Sequence, residues 1–405
     1  MNLLDTFFVL ISAALVLLMT PGLAFFYGGF GDRRNVISIL KQNFVSIGVT
    51  TVLWVLVGYS LSFSGDYLGI IGNLDKAFLK TILPTTLLNE GGISEYAFIV
   101  FQLTFAIITP ALITGAIINR MSFKAYLLFI VLWELFVYFP FAHMVWGGGF
   151  LHKVGVMDFA GGIVVHPLAG MTALACVFFI GSRKNKTVTP HNRPMIALGG
   201  ALLWFGWFGF NAGSALAVDE IAVLAFLNTQ LAASFAAIVW MLIEWKKEGK
   251  PKLVGFLTGA ISGLVAITPA AGFVSIHSAI LIGCISSVIC YLAVDLKNRL
   301  GWDDALDVWG VHGVGGIVGS LGVGVFASSS INPGIQNGLI FGGFEFFMIQ
   351  VFGVVLACLY AFIVTIMLLK IVSVFVPIKV SETEEKDGLD LSHHGESAYM
   401  FSRKL

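Results

Sequence analysis

Apolar stretches of about twenty residues recur along nearly the whole 405-residue chain, separated by short polar connections. A helix crossing the roughly 30 Å hydrocarbon core of a bilayer needs about 20 mostly apolar residues. Eleven stretches meet that requirement, centred near Leu15, Trp54, Ile108, Leu135, Ala169, Phe205, Ala236, Gly263, Ile285, Gly319 and Leu356. The pattern therefore predicts an all-α membrane protein with eleven transmembrane helices. Composition agrees, with 58% hydrophobic and 11% charged residues against the roughly 25% charged residues of soluble domains. The mean hydropathy is +0.92.

Charge supplies the orientation. With the connection after the first helix taken as cytoplasmic, that side carries fifteen basic residues. They are Arg33, Arg34, Lys41, Arg120, Lys124, Arg183, Lys184, Lys186, Arg193, Lys246, Lys247, Lys250, Lys252, Lys297 and Arg299. The opposite connections carry Lys76, Lys80 and Lys153, and five more basic residues follow from Lys370 onward. This is the bias of the positive-inside rule, and it predicts an N-terminus outside and a C-terminus in the cytoplasm. The first apolar run reads as a helix rather than a signal peptide, because Arg33 and Arg34 follow it and nothing basic precedes it. The formal net charge of 0 averages the asymmetry away, and no basic, aromatic groove for nucleic acid is visible. Cys176, Cys284, Cys290 and Cys358 fall in or near apolar runs without a CxxC pair, so no disulfide, metal or cofactor is expected from them.

Eleven helices divide as five, five and one. A second five-helix unit would run through the membrane inverted, giving a transmembrane domain over 1–376, with repeats over about 1–181 and 195–326 and an eleventh helix over about 338–376. Residues 377–405 form a polar cytoplasmic tail. His166 and His312 then occupy matching places well inside helices five and ten, in Gly162-Ile-Val-Val-His166-Pro-Leu-Ala-Gly170 and Trp309-Gly-Val-His312-Gly-Val-Gly-Gly-Ile317. Glycines at small-xxx-small spacing, such as Gly315 and Gly319, point to close helix packing.

Ionisable groups inside apolar runs are functional candidates by default, since each costs several kcal/mol unless paired. Asp158 is placed to cap backbone N–H groups at the start of helix five, Asp307 lies near an interface, and Glu134 and Glu345 have no evident task. The two histidines line a path for a small uncharged polar molecule or, alternatively, hold a haem between helices. Three segments mix aromatics with small polar residues, namely Phe101-Gln-Leu-Thr-Phe105, Ala142-His-Met-Val-Trp146-Gly-Gly-Gly149 and Trp204-Phe-Gly-Trp-Phe-Gly-Phe210-Asn-Ala-Gly-Ser214. Ring faces attract cations by roughly 0.5 to 2 kcal/mol each.

These motifs, with Met19-Thr-Pro-Gly-Leu-Ala-Phe-Phe-Tyr-Gly-Gly29 and Gly388-Leu-Asp-Leu-Ser-His-His-Gly-Glu-Ser-Ala-Tyr399, closely resemble the ammonium transporters of the Amt/MEP/Rh superfamily, on its Amt side. The resemblance runs in order over essentially the whole chain. It implies passage of ammonium or ammonia across the plasma or inner membrane with no enzymatic step and no cofactor. Phe105, Trp146 and Ser214 would recruit ammonium, Phe105 and Phe210 would form a gate, and Asp158 would support the site from behind. His166 and His312 would line the pore. It further implies a homotrimer in membrane lipid and a PII-type signal protein reading the tail through Gly388, Asp390, His394, Gly395 and Glu396. Methylammonium remains open as a further substrate, and an ammonium sensor as a further role. Two positions depart from the expected pattern, Pro167 after the first histidine, suggesting a kink in helix five, and His393 where an acidic residue is usual.

Overall fold

The computed structural model describes residues 1–184, 186 and 189–399; the last six residues of the tail lie outside the described residues. Among those described, the chain is helical with isolated β-bridges and no sheet. Among the described residues, nine helices are long and apolar enough to cross a membrane. These are α1 (Leu3–Phe30), α2 (Val36–Phe63), α3 (Glu95–Ile117), α4 (123–145), α6 (Arg193–Ala212), α7 (Glu220–Glu248), α9 (Ile276–Leu300), α10 (Trp309–Phe326) and α11 (Phe344–Phe375). Two shorter apolar helices, α5 (His166–Ile180) and α8 (Leu253–Ile267), complete the bundle.

At 1.5 Å per residue α5 spans only about 22 Å, so His166 does not sit well inside a helix as the sequence suggested. It is the first helical residue, with Pro167 second. A proline in the first turn removes no intrahelical bond, so it starts α5 instead of kinking it. Residues 155–165 approach in turns, bends and irregular backbone. His312 lies in the π-helical turn Trp309–Gly313 that opens α10.

Close packing holds the bundle together at two seams. Along α1 and α6, a Cβ on Gly199 would lie 2.3 Å from the Phe26 nitrogen, and one on Gly206 2.3 Å from Met19 Cγ. Between α5 and α10, a Cβ on Gly170 would lie 2.2 Å from Gly313 Cα. Apolar helices already surrounded by lipid gain little from hydrophobic association, so this backbone proximity, with the dispersion contacts it allows, carries the packing.

The end of the bundle bearing the C-terminal tail is fastened by polar contacts. Arg120, fully buried, bonds the Asp303 carboxylate at 3.1 Å and the Gly181 carbonyl, while Arg183 pairs with the same carboxylate at 2.5 Å. The tail crosses this face and grips three connections. Val380 N–H donates to the Arg120 carbonyl at 2.9 Å, Lys184 N–H to Glu385 Oε1 at 2.6 Å, and the Tyr399 hydroxyl meets His191 Nε2 at 2.9 Å. Gly388 has φ +98°, and a Cβ there would meet Arg34 Cβ at 2.5 Å. Asp390 accepts from the Ser38 N–H at 2.8 Å in the first turn of α2, and the Glu396 N–H donates back to the Asp390 carbonyl. A carboxylate there satisfies orphan donors and complements the helix dipole. The His394 ring packs edge-on against Phe123, centroids 5.1 Å apart, and Gly395 ends the turn at φ +66°.

Removing the Asp390 carboxylate should loosen the tail by about 1 kcal/mol, the worth of a helix cap. Asp390→Ala is expected to speed tryptic cleavage at Lys379 and Lys386 several-fold in detergent; cleavage at the unaltered rate would contradict the capping role.

Candidate functional site

Helix α3 carries Phe101 and Phe105 one turn apart, their ring centroids separated by 4.9 Å. Helix α4 ends at Trp146, α6 ends just before Ser214, and residues 155–165 fold in between them. These elements surround an open cavity of about 470 Å³ at the end of the bundle opposite the tail, lined among others by Phe105, Trp146, Asp158 and Ser214. Phe105 meets Trp146 edge to face at 6.0 Å. The Ser214 hydroxyl donates to the Phe210 carbonyl at 2.9 Å, which leaves its oxygen lone pairs as acceptors.

Phe105 and Phe210 close the floor of this cavity, their centroids 4.3 Å apart and their planes 36° from parallel. Beneath them the His166 ring stacks 6.1 Å from Phe210 and 5.4 Å from both Trp207 and His312. The Nδ1 atoms of His166 and His312 are 3.3 Å apart. Around them lies a cavity of about 20 Å³ walled by Leu23, Ile108, Leu112, Val165, Leu203 and Ile261, room for roughly one small molecule. A further cavity of about 40 Å³ continues past His312 along Phe26, Phe30 and Val311 to Asp307.

The Nδ1 contact has a chemical consequence. One neutral imidazole must donate through Nδ1–H and the other accept, so one Nε2 is left as an acceptor and the other as an N–H donor. The pair thus offers one donor and one acceptor to a neutral guest. The same contact removes the haem alternative: two axial nitrogens at about 2 Å from a metal stand about 4 Å apart, and a cavity of about 20 Å³ has no room for a porphyrin.

Asp158 lies eight residues before α5 begins, so it does not cap that helix. Its carboxylate accepts from the N–H groups of Gly161, Gly162, Ile163 and Val164 at 2.7 to 3.1 Å. Its carbonyl accepts from Trp146 Nε1 at 3.0 Å. Asp304, which the sequence reading passed over, repeats the arrangement in the second half. Its carboxylate accepts from Val308 N–H at 3.1 Å and Trp309 N–H at 2.8 Å, again eight residues before a histidine. Burial pushes the Asp304 carboxyl up to about 6, with Lys297 opposing and Asp307 adding to the rise. The signal was legible: Asp-x7-His occurs at Asp158 to His166 and at Asp304 to His312. Asp307 itself pairs with Lys297 at 2.5 Å and adopts φ +60°. Glu345 is exposed in the first turn of α11, where an anion complements the helix dipole. Glu134 is buried in a π-helical turn of α4 and accepts from the Thr50 hydroxyl at 2.9 Å.

Comparison with known proteins gives this arrangement its context. The family model described as Ammonium Transporter Family matches residues 7–399. The chain belongs to this family. It is 46% identical over 400 residues to an ammonium transporter of Bacillus subtilis, covering 98% of this chain and 99% of the relative. It is 45% identical over 394 residues to ammonium transporter Amt1 of Archaeoglobus fulgidus, covering 96% and 98%. Among solved structures, Candida albicans Mep2 matches with a TM-score of 0.89 at 34% identity, over 95% of this chain and 88% of that one. A structure described as a sensor Amt protein matches with a TM-score of 0.88 at 30% identity, over 96% and 98%. The protein is thus an Amt-family ammonium transporter, multi-pass in a membrane.

In this transporter the imidazole contact depends on the α5–α10 seam. Gly170→Ala places a methyl group against Gly313 backbone, where overpacking costs about 1 to 3 kcal/mol. The expected result is a lowered melting temperature in detergent and uptake reduced at least ten-fold. Wild-type values of both would contradict the dependence.

Proposed function

We propose that the nine long helices, together with α5 and α8, make eleven membrane crossings. In this reading α1–α5 and α6–α10 are two inverted units and α11 closes the bundle, with the N-terminus outside and the tail in the cytoplasm of the plasma or inner membrane. Three observations support it: the distribution of basic residues, the glycine seams joining α1 to α6 and α5 to α10, and the Asp-x7-His spacing in both halves.

The aromatic cavity is then the external mouth. Phe105 and Trp146 attract ammonium through their ring faces, each worth roughly 0.5 to 2 kcal/mol, and Ser214 accepts one hydrogen bond. Asp158 acts behind this layer, holding Trp146 by its carbonyl and spending its carboxylate on four backbone N–H groups. Sodium holds its water too firmly for rings to replace it. Below the mouth the balance reverses, because a bare cation in an apolar tube loses hydration worth many kcal/mol, whereas ammonia needs only hydrogen-bond partners. Ammonium therefore gives up a proton to water in the open cavity above the Phe105–Phe210 gate, and ammonia passes the two imidazoles, which offer it one donor and one acceptor. Apart from this proton transfer, no covalent bond is made or broken. The single observation that carries the reading is the unbroken series of ring contacts from Trp146 through Phe105, Phe210 and His166 to His312. The tail, fixed to three connections, is the surface that a PII-type signal protein would sense.

Ser214→Ala should raise the half-saturating ammonium concentration about five- to ten-fold, the equivalent of one hydrogen bond of about 1 kcal/mol, with little change in maximal uptake. Phe210→Ala and His312→Ala should change maximal uptake instead. Uptake in proteoliposomes checks both, and three variants with wild-type kinetics would refute the site.

A further inference from the structure

A second set of groups suited to a cation adjoins the same cavity. Glu95, the first residue of α3, has a side chain only 4% exposed. Its Oε1 accepts from the Tyr59 hydroxyl at 2.7 Å and from Lys76 Nζ at 2.5 Å. The Lys76 ammonium also stands 5.6 Å from the Tyr59 ring centroid. Tyr59 and Lys76 line the open cavity with Phe105, Trp146 and Ser214. The placement is fixed by backbone contacts: Lys76 N–H donates to Ser60 Oγ, and that hydroxyl donates to the Asn73 carbonyl, both at 2.9 Å.

A buried carboxylate at a helix N-terminus beside a tyrosine ring is a complete receptor for a primary ammonium group: one charge, one hydrogen-bond acceptor and one π face. The end of the Lys76 side chain has the head group of a small alkylammonium ion. We propose that Glu95 and Tyr59 form a second ammonium-binding site in the mouth, and that Lys76 fills it from within the chain. This rests on the aromatic cavity being the external mouth. Tethering gives the lysine head group a millimolar or higher effective concentration, so ammonium below that level is kept out of the site. Lys76 thereby holds the affinity of the mouth below what its groups would otherwise give, and vacating the site concentrates substrate next to Phe105 and Trp146.

The test measures ammonium uptake in proteoliposomes as a function of concentration, with 200 mM NaCl present so that diffuse charge effects are screened. Lys76→Met and Lys76→Ala should each lower half-saturation three- to ten-fold, Lys76→Arg should leave it near wild type, and adding Glu95→Gln should abolish the gain. In Lys76→Ala, n-propylammonium, which replaces the missing end of the side chain, should raise half-saturation back towards wild type and have little effect on the wild-type protein itself. Unchanged half-saturation in both Lys76→Met and Lys76→Ala, or a gain that survives Glu95→Gln, overturns the proposal. Trp146→Ala in the same assay separates the two readings. If it leaves uptake untouched, the mouth is misassigned. If it impairs uptake while the Lys76 variants match wild type, the second site alone falls.

Discussion

The contact of 3.3 Å between two imidazole nitrogens in the middle of an apolar bundle sets the terms for the structure around it. Two ring-bearing helices can approach so closely only if nothing intervenes, and at their crossing Gly170 faces Gly313 while Gly316 faces His166 and Pro167. The contact also fixes the hydrogen-bonding character of the pair, because neutral rings joined through Nδ1 expose one donor and one acceptor. An apolar wall on the remaining sides makes a charged guest far more costly than a neutral one. Packing and tautomer are thus consequences of one geometry, and the proposed preference for a neutral guest rests on the same geometry.

The short helices follow from the same requirement. Had α5 continued through the membrane on the side of the aromatic cavity, His166 would lie within a helix and residues 155–165 could not fold in under Trp146. Breaking the helix there exposes backbone N–H groups, and the Asp158 carboxylate takes up four of them. Asp304 does the equivalent before α10. A carboxylate surrounded by N–H donors keeps its place in a poorly solvated setting where an unpaired one would be very costly.

Much of this was legible in the sequence, for identifiable reasons. Span length and hydropathy mark helices regardless of their partners, so Leu3–Phe30 and Phe344–Phe375 stood out at once. His166 and His312 stood out because ionisable groups are rare in such runs. The start of α5 was not legible, since Gly161 to Val165 is as apolar as a helix and only Asp158 and Pro167 hint at the break. Asp304 was hidden beside Asp303 and Asp307 in a connection where acidic residues are ordinary. The pairing of Lys76 with Glu95 joins a loop to a helix 19 positions away, and no local periodicity encodes it.

The central proposal is that what passes the histidines is a molecule that has left a proton behind. Potassium tests it most directly, because it matches ammonium in size and charge but has no proton to give up. Proteoliposomes loaded with this transporter should take up ammonium down its gradient, while potassium flux under an equal gradient stays at the level of protein-free vesicles. Potassium crossing at a rate comparable to ammonium would contradict the account, since an intact cation would then have passed the Phe105–Phe210 gate and both imidazoles.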